Sequence, residues 1–370
     1  MRRLRFGLVG TRFEGLDGVT LESVKVAHVL ESLGHEVVWL GGVLAPEFSP
    51  GVEVPEAFFD TGPNLEINRQ VFGSEACDDT VLADIEEAAS AIKHRLAAFV
   101  EELGVDVLVP QNALAIPMQL PLGVAIARYA RESGMPTIAH HHDFAWERSR
   151  FWPNAVGAYL AEAFPPTSPN IGHLVINSIA GAELSKRTGA TGRLLPNIMD
   201  FANPPEPGDG AVFRRAAALT DHDRVILQPT RMVPRKGIED TLELAQRLDD
   251  PTIRVVVTHP EPDEGAGYID ELVSTADRLG VDFRVVPVGP GTDVPLADAY
   301  AAADLVAYPS RVEGFGNALL EAFYFRRPLL VNRYPVFVAE IGPHGVKAIE
   351  MDVSITVEVV AWTRQWLVDP

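Results

Sequence analysis

The chain of 370 residues has a single cysteine, Cys77, so it can form neither an internal disulfide bond nor a cysteine-based metal cluster. It also lacks any apolar run near the ~18 residues that a membrane helix needs, because its longest apolar runs have the length of β-strands. The basic residues at the start are not followed by an uninterrupted apolar stretch, which argues against a signal peptide. These features predict a soluble, cytoplasmic protein without an integral membrane segment.

Positive charge is scarce as well. The chain has 31 Lys and Arg residues against 51 Asp and Glu residues, which gives a formal net charge of −20. Such a charge repels phosphate backbones, and no basic cluster is concentrated enough to overcome the repulsion, so we expect no nucleic-acid partner. A small anionic ligand would need a few local cations directed at it. Cations near glycine-containing turns are therefore the candidates for binding such a ligand.

Strand and helix patterns alternate along the whole chain, which is typical of parallel α/β sheets. A proline-rich segment, residues 197–210, interrupts the alternation, and we predict one domain at 1–199 and a second at 200–370. We predict these strands: 4–9, 37–40, 105–109, 137–140, 174–177, 225–228, 254–258, 283–286, 305–308 and 329–331. We predict these helices: 20–33, 79–103, 238–248, 268–279 and 317–325. Both domains are expected to be doubly wound, with ligands at the carboxyl ends of the strands.

The most informative segment, residues 308–322, predicts a strand, a glycine-containing turn and the start of a helix. Glu313 precedes this helix and Glu321 lies about two turns into it, so the two carboxylates are expected to touch different parts of an extended ligand. Gly314 and Gly316 let the backbone approach a ligand, and the first N–H groups of the helix suit hydroxyl or anionic oxygens. A tight turn with two solvated glutamates explains the same geometry equally well.

This segment resembles the signature of the retaining glycosyltransferase family 4, in which two glutamates bracket a Gly-Phe-Gly turn and a helix with small residues. The resemblance implies the GT-B fold, with two Rossmann-like domains facing across a cleft that holds the site. It also implies that Glu313 lies at the transferring sugar and that Glu321 accepts hydrogen bonds from ribose hydroxyls. Main-chain groups of four residues would hold the sugar and diphosphate: Gly314, Phe315, Gly316 and Asn317.

A second segment, residues 228–237, predicts a strand that ends in a proline turn and leads into a helix, with cations at the carboxyl end of the strand. Such cations suit a diphosphate leaving group, whose negative charge grows in the transition state. The family has an Arg and a Lys at this spacing, and the resemblance assigns the role to Arg231 and Lys236. We expect Arg235 to be a surface residue. The alternative, a solvated basic loop, is weakened by the overall acidity of the chain.

Three consecutive histidines end a predicted strand of the first domain. Because side chains alternate along a strand, His140 and His142 share one face and His141 points to the other. The resemblance places His142 at the donor sugar, which is the preferred interpretation. A metal site formed by the histidines with Asp143 ranks second, and a structural role follows closely.

The loop at residues 15–20 joins the first strand to the first helix and resembles a glycine-rich loop that borders the diphosphate in the family, so Gly18 is assigned to the donor. Asp17 departs from the paired glycines that are commoner there. A simple connecting loop with Thr20 as the helix cap is the alternative. The acidic triplet at 221–223 is rejected as a metal motif because it precedes a strand, at the wrong end for a site.

The resemblance therefore implies a hexosyltransferase that uses a nucleotide diphosphate sugar, such as a UDP- or GDP-hexose, with retention of configuration and without metal or cofactor. No residue is placed as a covalent nucleophile, so we expect front-face substitution in which the departing phosphate oxygen takes the acceptor proton. The acceptor is expected to be small, and a phosphorylated or carboxylated compound would suit the cations of residues 146–150. Its predicted contacts are His140, Arg148 and Arg150, and for the two arginines a surface role is the alternative that the sequence favours.

Two other functions are considered: a nucleotide-sugar epimerase of related fold, and a nucleotide-sugar-binding protein with impaired catalysis. Family members usually extend well beyond the second glutamate and end with a helix that crosses back onto the first domain. Here residues 322–370 follow it, with a helical stretch at 355–367 that carries Trp362 and Trp366. Either this helix makes the crossing or the carboxyl terminus is shortened. A homodimer is also considered.

Overall fold

The structure is a computed structural model that describes residues 2–368 except 16, 205, 207, 260–261 and 290, and the side chains of 262–266 are not described. The chain divides into two compact units, Met1–Pro196 and Asn197–Pro370. The predicted proline-rich segment begins at this division. Within the described ranges, no helix has the length and apolarity to cross a membrane.

Among the described residues of the first unit, seven parallel strands form one sheet in the order β3-β2-β1-β4-β5-β6-β7. The strands are β1 (Arg5–Gly10), β2 (Glu36–Gly41), β3 (Gly51–Glu53), β4 (Val107–Pro110), β5 (Thr137–His141), β6 (Ile171–Val175) and β7 (Gly192–Leu194). The helices of four or more residues are α1 (Gly18–Ser32), α2 (Gly62–Val71), α3 (Asp79–Leu103), α4 (Leu120–Ser133), α5 (Gly157–Ala163) and α6 (Ser178–Thr188). The single sheet predicted for this half is confirmed.

Helix α3 shows how the sequence pattern builds this core. Its apolar side chains recur every three or four residues, and the buried ones are Val81, Ile85, Ala89, Ile92, Leu96 and Phe99. Burying each large side chain contributes roughly 1.5–3 kcal/mol relative to leaving it exposed. The helix ends where Gly104 adopts a left-handed conformation, φ 62°, which glycine accommodates without a steric penalty.

In the described part of the second unit, six parallel strands form a sheet in the order β10-β9-β8-β11-β12-β13. The strands are β8 (Arg224–Arg231), β9 (Ile253–His259), β10 (Phe283–Val285), β11 (Leu305–Tyr308), β12 (Leu329–Asn332) and β13 (Ile349–Met351). The helices of four or more residues are α7 (Ala211–Ala216), α8 (Ile238–Leu248), α9 (Pro262–Leu279), α10 (Leu296–Ala302), α11 (Asn317–Tyr324) and α12 (Val357–Val368); a π-helical turn covers Phe337–Ile341.

Two details of the predicted elements are wrong. Pro229 does not end its strand; it lies inside β8, where the pairing with β9 shifts between Gln228 and Arg231, and an irregular register tolerates the missing proline N–H. Glu321 lies about one turn into α11 rather than two, because it is four residues beyond Asn317, where the helix begins as predicted, and one turn takes about 3.6 residues.

The last helix, α12, packs within its own unit. It buries Val359 and Val360 in the core of the second sheet. Arg364 donates hydrogen bonds to the carbonyl oxygens of Arg247 and Leu248 at the end of α8, at 3.1 and 3.0 Å. The helical stretch predicted near residues 355–367 is therefore present.

Candidate active site

Both sequence motifs of the second unit meet at the carboxyl edge of its sheet. Strand β8 lies between β9 and β11, and all three run parallel, so their ends share one edge. Arg231, the last residue of β8, is in register with His259, the last residue of β9. Ligands of open α/β sheets bind at this edge, so the observed placement fits a ligand site.

Glu313 and Lys236 form a buried ion pair at this edge. Lys236 Nζ donates to Glu313 Oε1 at 2.5 Å, and Arg235 Nη1 donates to Glu313 Oε2 at 3.4 Å. The Lys236 and Glu313 side chains are only 10% and 9% exposed. Burial alone raises the pKa of Glu313, but the charges of Lys236 and Arg235 outweigh it and lower that pKa. Glu313 is therefore an ionised carboxylate, and the alternative of a solvated glutamate does not hold for it.

Arg235 is a correction to the sequence-based expectation of a surface residue. Its side chain is 31% exposed and contacts Glu313. Adjacent residues can both reach one carboxylate here because Arg235 and Lys236 lie in a short 3₁₀ turn rather than in an extended strand, where their side chains would diverge.

The loop that carries Lys236 is tied to the sheet by Gln228. The buried amide of Gln228 donates through Nε2 to Lys236 O at 2.9 Å and accepts through Oε1 from Thr241 Oγ1 at 2.6 Å. Gly237 follows with φ 63°, and a Cβ at this position would come within 2.8 Å of Pro309 O. Glycine is required there because the backbone is left-handed and the two loops touch.

Positive charge converges on this edge. Burial lowers the pKa of His259, and the nearby charges of Arg231 and Lys236 lower it further, so His259 is neutral at pH 7. Burial also lowers the pKa of Lys236, while Glu313 opposes the effect. The sequence interpretation missed His259, although a histidine directly after an apolar strand was a usable signal. An anionic group is the ligand that such a cluster would attract.

The glycine turn before α11 is shaped by packing. Gly316 has φ 121°, and an added Cβ would lie 2.5 Å from Tyr334 Oη. Tyr334 Oη in turn donates to Phe315 O at 2.6 Å. Among the described residues no side chain caps the start of α11, so its amino end suits oxygen atoms of a ligand. Asn317 is held through its Oδ1, which accepts from Asn197 Nδ2 at 2.7 Å.

Glu321 has a defined partner in Tyr300, which donates from Oη to Glu321 Oε2 at 2.7 Å. Burial raises the pKa of Tyr300 well above its usual value, and Glu321 adds to the effect, so the hydroxyl stays protonated. Tyr300 lies on α10 and was not found from the sequence, because a tyrosine in a short helix carries no spacing signal. Its contact fixes the direction of the Glu321 carboxylate.

In the first unit, the histidines lie as the alternation predicted. The His140 and His142 rings pack at a centroid distance of 4.4 Å, while His141 stacks on His173 at 5.2 Å. His140 Nδ1 lies 3.0 Å from Gln111 Oε1, which fixes the ring as a donor on that side. Burial lowers the pKa of His140 well below its usual value and that of His142 to about 4. Both rings are therefore neutral at pH 7.

Asp143 takes part in a polar network of its own. It accepts from Asn112 Nδ2 at 2.7 Å and from Arg148 Nε at 2.7 Å. Asn112 also accepts at Oδ1 from the His142 backbone N–H at 2.9 Å and has a left-handed φ of 57°. In the ranges that the structure covers, no group of three or more His, Cys, Asp or Glu side chains is placed to hold a metal ion. Asn112 was missed because an asparagine after a strand is common.

The three predicted acceptor contacts differ in their surroundings. His140 is 2% exposed, and Arg148 is ion-paired with Asp143. Arg150 lies with its guanidinium carbon 4.8 Å from the centre of the Phe151 ring. Their acceptor-binding roles stay predictions.

The first loop differs from the alternative interpretation, in which Thr20 caps α1. Asp17, rather than Thr20, caps α1: its Oδ1 accepts from the N–H groups of Val19 and Thr20 at 3.0 and 3.1 Å. Thr20 is buried inside the first turn, and its hydroxyl donates to Asp17 Oδ2 at 2.8 Å. The aspartate that departs from the glycine pattern is thus explained by capping. Gly18 begins the helix, and its donor-binding role stays a prediction.

Asp223, the last residue of the triplet at 221–223, has a structural role in its turn. Asp223 Oδ2 accepts from Thr220 N at 2.6 Å, and Asp223 Oδ1 is paired with Arg254 at 2.6 Å. This engagement agrees with its rejection as a metal motif.

Comparison with known proteins adds the family context. The model of the family described as glycosyl transferases group 1 matches residues 211–358, which include both motifs of the second unit. The chain is 30% identical over 380 residues to a mannosylglucosylglycerate synthase of Petrotoga mobilis, covering 94% of this chain and 86% of that protein. A mannosylglucosylglycerate synthase of Thermotoga maritima is 30% identical over 372 residues, covering 94% and 85%. The crystal structure of Anabaena HepE in complex with UDP-glucose superposes with a TM-score of 0.67 at 14% identity, covering 98% of this chain and 89% of that chain.

Proposed function

The chain belongs to the glycosyl transferases group 1 family and has the GT-B fold, and from this premise we propose that it is a retaining transferase of a hexosyl group to a small carboxylated acceptor. Membership makes it a glycosyltransferase with a nucleotide-sugar donor. The observation that carries the proposal is the Lys236–Glu313 pair beside Arg231, at the ligand-binding edge of the second sheet.

The donor diphosphate is proposed to lie on Arg231 and Lys236. The leaving group gains negative charge as its bond to the sugar breaks, and preoriented cations stabilise that charge. Lys236 has three N–H donors and uses one in its bond to Glu313 Oε1, so it can bind an oxygen and keep that bond. Glu321, whose carboxylate is oriented by Tyr300, is proposed to accept from the ribose hydroxyls.

Retention is proposed to proceed by front-face substitution. The bond between the anomeric carbon and the phosphate oxygen breaks, the acceptor oxygen bonds to the same face, and the departing phosphate oxygen takes the acceptor proton. The state of Glu313 supports this path: both its oxygens accept from cations, which makes it a poor covalent nucleophile. Its proposed role is to lie beside the sugar, with the neutral His142 as a second sugar contact and no metal or cofactor required.

The acceptor is proposed to be glucosylglycerate or a close analogue, and the transferred group to be mannosyl. The names of both full-length relatives contain a mannosyl, a glucosyl and a glycerate unit. The cations of the first unit that are proposed to bind the acceptor carboxylate are Arg148 and Arg150. Arg148 is held in place by its ion pair with Asp143. His140 and Arg150 complete the proposed acceptor contacts.

The proposed function is tested by assaying UDP- and GDP-hexoses as donors, each in combination with carboxylated, phosphorylated and neutral acceptors. Release of nucleoside diphosphate, the product mass and the anomeric configuration by NMR are measured. We expect turnover only with a carboxylated acceptor, and a product with the anomeric configuration of the donor. Conversion of the donor without any acceptor would instead identify an epimerase, and binding without release would identify a binding protein.

The matched variants are Arg231→Met and Arg333→Met. Arg231→Met should lower turnover about a hundredfold, as for the loss of one electrostatic donor. Arg333 forms a surface pair with Glu350 at 2.6 Å, and its replacement should leave turnover within about twofold. Equal effects of the two variants would refute the assignment of Arg231.

A further inference from the structure

Arg311, two residues before Glu313, joins three parts of the second unit. Its backbone N–H donates to Arg235 O at 2.9 Å, in the loop that follows β8. Its guanidinium donates through Nη2 to Asp240 Oδ2 and through Nη1 to Val353 O, both at 2.6 Å. One residue thus connects the loop of the signature glutamate to the loop of the paired cations and to the segment after β13.

Val353 is a strained residue within this arrangement. It has φ 64°, a left-handed conformation that is a genuine outlier for a β-branched side chain. Both of its backbone groups are held: its N–H donates to Asn332 Oδ1 at 2.9 Å, and its carbonyl accepts from Arg311. Asn332 also donates through Nδ2 to Ser310 O at 3.0 Å. A strained backbone conformation persists only where the surrounding contacts hold it in place, and such conformations are concentrated at functional sites.

We propose that Arg311 and Asp240, with Asn332 and the strained Val353, form a brace that positions Glu313 against its cations during sugar transfer. None of the four is proposed to touch substrate, so they are positioning residues. The inference rests on the proposed function, because that function gives the position of Glu313 its purpose. The sequence interpretation assigned no role to any of them.

The brace has a built-in dependence on pH. Arg311 faces the Asp240 carboxylate from the signature loop, and Glu239 and Glu243 lie near it on α8. Burial raises the pKa of Asp240 to about 6; Arg311 opposes the shift, and the two glutamates add to it. Below that pH the carboxyl becomes neutral, and its bond to Arg311 loses its charge assistance. The brace should therefore loosen as the pH falls through about 6.

The first test compares the kinetics of Asp240→Asn, Arg311→Met and wild type between about pH 5 and pH 8. Arg311→Met should lower kcat about tenfold to a hundredfold while the donor KM changes by less than about threefold, because misplacement acts on the reacting geometry. We expect wild-type kcat to fall as the pH drops through about 6, and Asp240→Asn to lose this dependence because it has no carboxyl to titrate at that position. Arg333→Met, which removes an exposed ion pair of the same unit, should match wild type. The proposal would be overturned if Arg311→Met had the kcat of wild type and the kcat of Asp240→Asn still fell at low pH as in wild type.

The second test does not depend on activity. Hydrogen exchange of residues 309–316 and 352–354 should be faster in Arg311→Met than in wild type, while exchange of β9 stays unchanged. If Arg311→Met misfolds because Asp240 is left buried without its cation, the double variant with Asp240→Asn removes both charges and serves in its place. If the wild-type protein showed no turnover, the proposed function would be wrong. The difference in hydrogen exchange between wild type and Arg311→Met would still test whether the brace exists. If the wild-type protein turned over substrate but the variants showed unaltered hydrogen exchange, only the proposal of the brace would be wrong.

Discussion

Replacing Lys236 with Met tests the buried pair through stability as well as through catalysis. The substitution leaves Glu313 in a site where its side chain is 9% exposed, with Arg235 at 3.4 Å as its remaining cation. Removing one partner of a buried pair costs about 3–5 kcal/mol, and the residual contact places the expected loss at about 3 kcal/mol. Turnover should fall about a hundredfold or more, because one donor to the leaving group is lost.

Replacing Lys236 should also change how the free energy of unfolding depends on pH. In wild type the pKa of Glu313 is lowered, so its stabilisation is present above the unfolded-state pKa and is lost as the pH falls through the folded-state pKa. Without Lys236, burial becomes the larger effect and should raise the pKa of Glu313 above its unfolded value. The buried, ionised carboxylate of Glu313 then destabilises the variant at neutral pH. Protonation of this carboxylate as the pH falls removes the destabilisation. The stability difference between wild type and variant should narrow from about pH 7.5 to about pH 5.

The assay is urea unfolding of wild type, Lys236→Met and the double variant Lys236→Met with Glu313→Gln at both pH values. The double variant carries no buried charge at position 313 and should recover more than half of the lost stability at neutral pH. A stability difference that widens at low pH, or a double variant no more stable than the single one, would refute the electrostatic account of Glu313.

Three further variants test the local geometry. Gly316→Ala should destabilise by about 2 kcal/mol and weaken donor binding, because its Cβ would lie 2.5 Å from Tyr334 Oη; adding Tyr334→Phe should recover part of the loss in thermal unfolding. Tyr300→Phe removes the donor to Glu321 and should raise the donor KM about fivefold, corresponding to about 1 kcal/mol, with little change in kcat. Leu96→Ala empties a fully buried position on α3 and should cost about 2–5 kcal/mol in thermal unfolding without changing the donor KM. A wild-type KM in Tyr300→Phe, or a wild-type melting temperature in either of the other two, would contradict the contact concerned.

Two periodic helices could be predicted from the sequence to the residue, whereas α9 begins six residues before its predicted start at 268. The predicted helices 79–103 and 238–248 coincide with α3 and α8 because many turns of apolar spacing define each one. The strands β3, β7 and β13 were missed, since each exists through pairing with a neighbouring strand rather than through a pattern of its own.

The candidate site was predictable in its anchor residues but less so in its contacts. The spacing and the family resemblance singled out Lys236 and Glu313, which the fold brings within hydrogen-bonding distance. The contact of Arg235 was missed because the sequence does not reveal the short 3₁₀ turn that lets two adjacent cations reach one carboxylate. The Arg311–Asp240 pair was missed for a different reason: its members lie on separate elements, and each resembles an ordinary surface charge.

A crystal structure of the protein with a bound nucleoside diphosphate hexose is the most direct test of the proposed donor site. We expect diphosphate oxygens within hydrogen-bonding distance of Arg231 and Lys236, ribose hydroxyls on Glu321, and the hexose beside Glu313. A donor bound with its diphosphate away from both cations would contradict the proposed donor site.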